Sequence, residues 1–117
     1  MRDHTKLRAF EIADFIVIEA YRVTRAFPKE EMFGLTSQIR RAAMSIASNI
    51  VEGCARSSEG DYLRFLDMAY GSAKELEYQL SVASRLGYSN ELQVIRDKTT
   101  EVSKVLNALI NSIRRSS

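Results

Sequence analysis

One cysteine, one proline, one histidine and five glycines among 117 residues put several kinds of protein out of reach. Cys54 is alone, so no disulfide can form within the chain. His4 lies among the first residues, where chain ends fray, so a nucleophilic hydrolase would lack the base its Ser or Cys needs. Nor can one terminal histidine supply the paired Glu-x-x-His ligands of a di-iron bundle. The glycines at 34, 53, 60, 71 and 87 are scattered and make neither a phosphate-cradling loop nor a dinucleotide fingerprint. Glu75 and Glu77 stand two apart on a helix, face different directions and form no catalytic dyad. The longest near-continuous apolar stretch, Phe15-Ile16-Val17-Ile18, is far short of the roughly 20 residues that span a bilayer, and no signal-like run follows the first residues. The expectation is a cytoplasmic protein, free of the membrane, that is not an enzyme and has no cofactor or metal site.

Charge of one sign is also missing. The 17 Lys plus Arg and 15 Asp plus Glu leave a formal +2, which permits nucleic-acid binding without arguing for it. Residues 89–117 are the more basic part, with Arg96, Lys98, Lys104, Arg114 and Arg115 against Glu91, Asp97 and Glu101.

What is present is helical periodicity. With 45% hydrophobic and 27% charged residues, the composition is that of one globular domain over 1–117, and so few Pro and Gly suit a few long helices better than many short strands. Leu92, Ile95, Thr99, Val102, Leu106, Leu109 and Ile113 alternate in spacings of three and four, which predicts a helix over about 90–114 with Ser89 as its N-cap. Tyr62, Leu66, Ala69, Ala73, Leu76, Leu80 and Ala83 repeat the pattern over about 59–86, widened by Phe65. Ser58 and Asp61 have capping-box spacing at its start, and Gly87 suits a left-handed stop at its end.

The segment at about 7–26 has too many apolar residues for one narrow stripe. Either this helix is central to the bundle, or part of it packs on another subunit. Phe27-Pro28 ends it. A second helix, about 37–52, follows a turn at Gly34 with Thr36 as N-cap, its apolar stripe being Leu35, Ile39, Ala42, Ile46 and Ile50. Short connections make the four helices an all-α, antiparallel, up-down bundle.

Beside that stripe, Gln38, Arg41, Ser45, Asn49 and Glu52 form a polar line, which Arg56 joins if the helix persists past Gly53. In one reading Gln38 and Arg41 meet Glu75 on the third helix and Asn49 ties a neighbouring turn; in the other, Arg41, Asn49 and Glu52 touch a ligand or RNA. The first is preferred, because a ladder of complementary side chains is a normal way to set helix register. Arg40 faces elsewhere and is expected to be freer. Gly71, followed by Ser72 and Ala73, points to close backbone approach, within the bundle or between subunits. The up-down topology gathers Arg2, Lys6, Arg8, Arg56, Arg114 and Arg115 at the end that holds both termini, partly balanced by Asp3, Glu11, Glu59 and Asp61.

Two blocks carry a resemblance: F-P-K-E-E-M-F-G-L-T-S-Q-I-R-R-A-A-M-S-I-A-S-N-I-V-E-G over 27–53, and R-F-L-D-M-A-Y-G-S-A-K-E-L-E-Y-Q-L over 64–80. Over about 6–112 the chain resembles the four-helix bundle proteins encoded in intervening sequences of bacterial 23S ribosomal RNA genes. The resemblance extends to the accessory variability proteins of diversity-generating retroelements, which associate with a reverse transcriptase. It implies a homo-oligomer, a pentamer around a central channel, and RNA or a nucleic-acid-handling protein as partner. It makes Gln38, Arg41, Asn49, Glu52, Gly53, Gly71, Ser72 and Glu75 positions of the family pattern, and Ala47 stands where many relatives have proline. RNA would meet the basic surface of Arg2, Lys6, Arg8, Arg40, Arg56, Arg114 and Arg115.

Overall fold

The computed structural model describes residues 2–116, so Met1 and Ser117 lie outside the described residues. A short turn of 3-10 helix, His4–Lys6, precedes α1 (Arg8–Thr24); a second, Lys29–Glu31, precedes α2 (Leu35–Cys54), and α3 (Glu59–Arg85) and α4 (Gln93–Ser116) complete the chain. The helices form a rod of 46 × 20 × 19 Å. α1 packs on α2 and α4, and α3 on the same two, so α1 and α3 stand at diagonal corners. Among the described residues there is no strand.

The periodic positions make the core. All seven residues of the α3 seam are buried, as are Ile39, Ala42, Ile46 and Ile50 of α2. On α4, Leu92, Ile95, Thr99, Val102 and Leu106 are buried, but at its last turns Ile110 is buried while Leu109 and Ile113 are only partly so. A helix of 3.6 residues per turn drifts off a strict three-four repeat, and after several turns the seam has moved by one residue.

The ends differ from expectation where side chains from afar take over. α2 begins at Leu35 with Gly34 as its cap, and Thr36 is buried. The expected Thr36 cap is replaced by Glu31, whose carboxylate accepts the Leu35 N–H at 3.0 Å and the Tyr88 hydroxyl at 2.7 Å. α4 begins at Gln93, because the Ser89 hydroxyl accepts from Glu91 N–H at 3.0 Å and closes a turn ahead of the helix. α1 ends at Thr24, short of Phe27-Pro28, through hydrogen bonds from Arg25 N–H to Arg22 and from Phe27 N–H to Thr24. At α3 the Ser58 hydroxyl accepts from Asp61 N–H at 3.1 Å, while the Asp61 carboxylate turns to Arg64, 3.7 Å away. Gly87 has φ 71°, and Gly87 N–H to Ser84 with Tyr88 N–H to Ala83 closes the helix as expected.

The N-terminal segment is tied down, against the expectation of fraying. Arg2 N–H donates to the Cys54 carbonyl at 2.8 Å, the Arg2 guanidinium lies 3.9 Å over the Tyr62 ring, and His4 sits edge-on to Phe10.

Candidate functional site

Two places hold most of the residues singled out by sequence. The first is the start of α3. Tyr62 carries Arg2 on its face, and Phe65 carries the guanidinium groups of Arg56 and Arg64 at 4.9 and 4.5 Å. Asp67 pairs with Arg114 at 2.7 Å. Four arginines therefore gather around the first turns of α3, three of them over aromatic rings, a contact that adds to their packing. Carboxylates temper this charge, since Arg56 pairs with Glu52 and Arg64 lies near Asp61. Arg64 was not among the expected cations. Its position two residues after Tyr62 and one before Phe65, on the helix that starts the terminal end, is the signal that could have found it.

Two of the remaining expected cations, Arg8 and Arg40, separate from this cluster. Arg8 pairs with Glu101, which precedes Arg114 by thirteen residues of α4, or about 20 Å along its axis, so Arg8 belongs to the α1–α4 flank. Lys6 and Arg115 are exposed near the chain ends. Arg40 is not free: its Nε donates to Thr24 Oγ1 at 2.9 Å and its guanidinium lies over the Tyr21 ring, at the end away from the termini. The last turn of α1 packs against the second turn of α2 and captures it.

The second place is the outer groove between α2 and α3. It encloses about 500 Å³ and is lined by Gln38, Arg41, Ala42, Ser45, Ser72, Glu75 and Gln79. The expected ladder closes only at its centre, where Asn49 Nδ2 donates to the Ser45 carbonyl and hydroxyl at 2.9 and 3.0 Å, and Ser45 and Ser72 share a hydrogen bond of 2.8 Å. Asn49 thus ties its own helix rather than a neighbouring turn. Gln38 and Arg41 do not bond Glu75. Arg41 and Glu75 stand exposed on opposite rims, where an ion pair gains little over hydration. Glu52 turns to Arg56, just past the end of α2.

Gln79 was not expected here. Its side chain is only 8% exposed and its Oε1 has no hydrogen-bond partner. A glutamine beside the seam residues Leu76 and Leu80, on the side facing α2, was the available signal.

The two glycines of this pair play opposite parts. A Cβ at Gly53 would come within 2.9 Å of Phe65 Cβ and 3.4 Å of Tyr62, so close approach of α2 and α3 needs glycine there. At Gly71 a Cβ would meet nothing within 4 Å, which removes close approach inside the bundle as the reason for that glycine.

On the far corner, Phe15 and Tyr21 are partly open and Ile18 is 67% exposed, so the surplus apolar residues of α1 face outward and are not all absorbed by the core. Cys54 is buried, and burial raises its thiol above the usual range, which keeps it protonated. Among the described residues, no cluster of His, Cys, Asp and Glu could hold a metal ion, and no helix is long and apolar enough to cross a membrane.

The fold is shared with the crystal structure of a protein of unknown function from the S23 ribosomal protein family of Bacteroides thetaiotaomicron. The two are 26% identical, with a TM-score of 0.80 over 88% of this chain and 95% of that one. No curated protein matches the chain. The pattern of the 23S rRNA-intervening sequence proteins matches residues 5–108, which takes in all four helices up to the last turns of α4. The chain belongs to that family.

Proposed function

We propose that the protein is a non-enzymatic helical bundle that assembles with copies of itself and holds RNA, or a partner that handles nucleic acid, through the arginines gathered at the start of α3. The observation that carries the RNA reading is the set Arg2, Arg56, Arg64 and Arg114 around Tyr62, Phe65 and Asp67. Guanidinium groups held over rings present their N–H edges to phosphate oxygens in fixed orientation. Arg115, exposed and next in sequence to Arg114, adds positive charge at this end. The carboxylates Glu52, Asp61 and Asp67 make each copy a weak binder. Assembly repeats the patch and converts weak contacts into avidity. The resemblance supports five copies.

A non-catalytic role is supported by His4, whose ring rests edge-on against Phe10, and by the buried, protonated thiol of Cys54. Salt-titrated RNA binding tests the proposal. Affinity should fall with salt, with a slope of about −0.7 per neutralised phosphate on single strands, and the slope should shrink when Arg2, Arg56, Arg64 and Arg114 are changed to Gln. Binding absent at low salt, or indifferent to salt, would end the RNA reading.

A second reading, in which Phe15, Ile18 and Tyr21 of α1 serve assembly and its outside binds protein and no nucleic acid, is favoured by the carboxylates that pair Arg56, Arg64 and Arg114. A protein partner retained after nuclease treatment, together with failed RNA binding, would select it.

A further inference from the structure

We infer that copies of this chain join head to tail, the outer face of α1 of one copy lying in the α2–α3 groove of the next. This rests on the assembly reading above and names the two surfaces that make it.

The groove is unfinished within one chain. Gln79 is nine-tenths buried there with its Oε1 unbonded, and a buried acceptor left without a donor is a standing cost that a neighbour would remove. Arg41 and Glu75 on its two rims have no ion-pair partner among the described residues, nor does any hydrogen bond hold their side chains. The floor is small, with Ala42, Ser45 and Ser72, so a helix can approach closely. Gly71, on the outward side of α3 beside Ser72, weakens its own helix, and no contact among the described residues accounts for it. An incoming helix does.

The outer face of α1 has the matching form. Glu11, Asp14, Ile18 and Arg25, spaced three, four and seven apart, fall on one line of the helix, with Phe15 and Tyr21 at its sides. Ile18 is the ridge for the small-residue floor. Among the described residues Glu11 and Asp14 have no ion-pair partner, and they offer carboxylates to Arg41; Arg25, likewise without an ion pair among the described residues, and the Tyr21 hydroxyl bring donors for Glu75 and Gln79. Charges of both signs are thus open on both surfaces.

Geometry then fixes the mode of assembly. Because α1 stands at the corner diagonal to α3, its outer face and the α2–α3 groove look in different directions from one subunit. Two different, complementary patches make a heterologous contact, which propagates from copy to copy and closes into a ring where the rotation permits.

The test uses two variants of the full chain, Ile18→Asp and Gly71→Arg, both at open positions that leave the fold intact by circular dichroism. Each alone should be a monomer by light scattering where the parent is a multimer. Mixed in equal amounts, they should form a dimer and nothing larger, since one retains an intact groove and the other an intact α1 face. In a Cys54→Ala background, Ile18→Cys with Gly71→Cys in one chain should yield a covalent ladder with a short bis-maleimide, and neither cysteine alone should. Cross-linking by one single variant, or a multimer untouched by both charge variants, overturns the head-to-tail contact while leaving assembly in place. A parent chain that stays monomeric at high concentration overturns the contact and the assembly reading together.

Discussion

The inner face of the α2–α3 pair is saturated, and the outer face is open. Inside, Leu66, Leu76 and Leu80 are fully buried against Ile39, Ile46 and Ile50, and Gly53 is required because Phe65 already occupies the space a Cβ would need. Outside, the same helices present a polar groove with an unbonded Gln79 oxygen and a glycine with nothing near it. One residue type therefore marks a filled seam in one place and an exposed notch in the other. A glycine within a helical sequence says that a side chain is unwelcome; only the environment says whether the objection comes from within the chain.

The comparison can be broken most strongly from the inside. Leu76→Ala removes a fully buried side chain, and urea denaturation should read a loss of about 2–5 kcal/mol. Gly53→Ala adds only a methyl group, but it must displace Phe65 or spread the helices; overpacking less the gain in helix propensity gives a net loss of about 1–2 kcal/mol. Gly71→Ala should do the reverse in dilute solution, stabilising the subunit by up to about 1 kcal/mol, while weakening self-association measured by sedimentation. A loss of subunit stability at Gly71 would erase the distinction between the two faces.

The smallest effect lies in the turn that feeds α2. The Tyr88 hydroxyl, followed by the Leu35 N–H, holds the Glu31 carboxyl below the usual carboxylate range. A group whose folded pKa is lowered contributes stability above its unfolded value of about 4.3, and that contribution is lost as pH falls through the folded value. Glu31→Gln should therefore flatten the acid limb of the stability profile, measured by thermal melts from neutral pH downward. The same bond raises Tyr88, so its contribution is kept below a pH of about 10 and lost above it.

The fold was legible because four apolar seams carry their own period. α3 could be read residue by residue, and its Gly87 stop followed from one glycine at the right place. Starts were harder, since Thr36 and Ser89 are plausible caps by neighbourhood, whereas Glu31 acts through a hydrogen bond to Tyr88, 57 residues away. Arg40 and Arg8 were misplaced for the same reason: a helix wheel gives the direction of a side chain on its own helix, while Thr24, Tyr21 and Glu101 decide where it ends. The candidate groove was half legible. Its polar line was visible on α2, but the failure of Arg41 to reach Glu75 and the unbonded oxygen of Gln79 depend on the width of a gap that spacing does not report.

The clasp that brings Arg2 onto Cys54 and Tyr62 makes the chain's single thiol a natural reporter. Cys54 lies beneath the N-terminal segment, buried and protonated, so alkylation must wait until that segment lifts and the end of α2 opens. Labelling rates with iodoacetamide thus time the opening of the terminal end without any added probe. RNA seated on Arg2 and its neighbours would slow that clock, and the slowing would give the position of the RNA on the bundle as well as its presence.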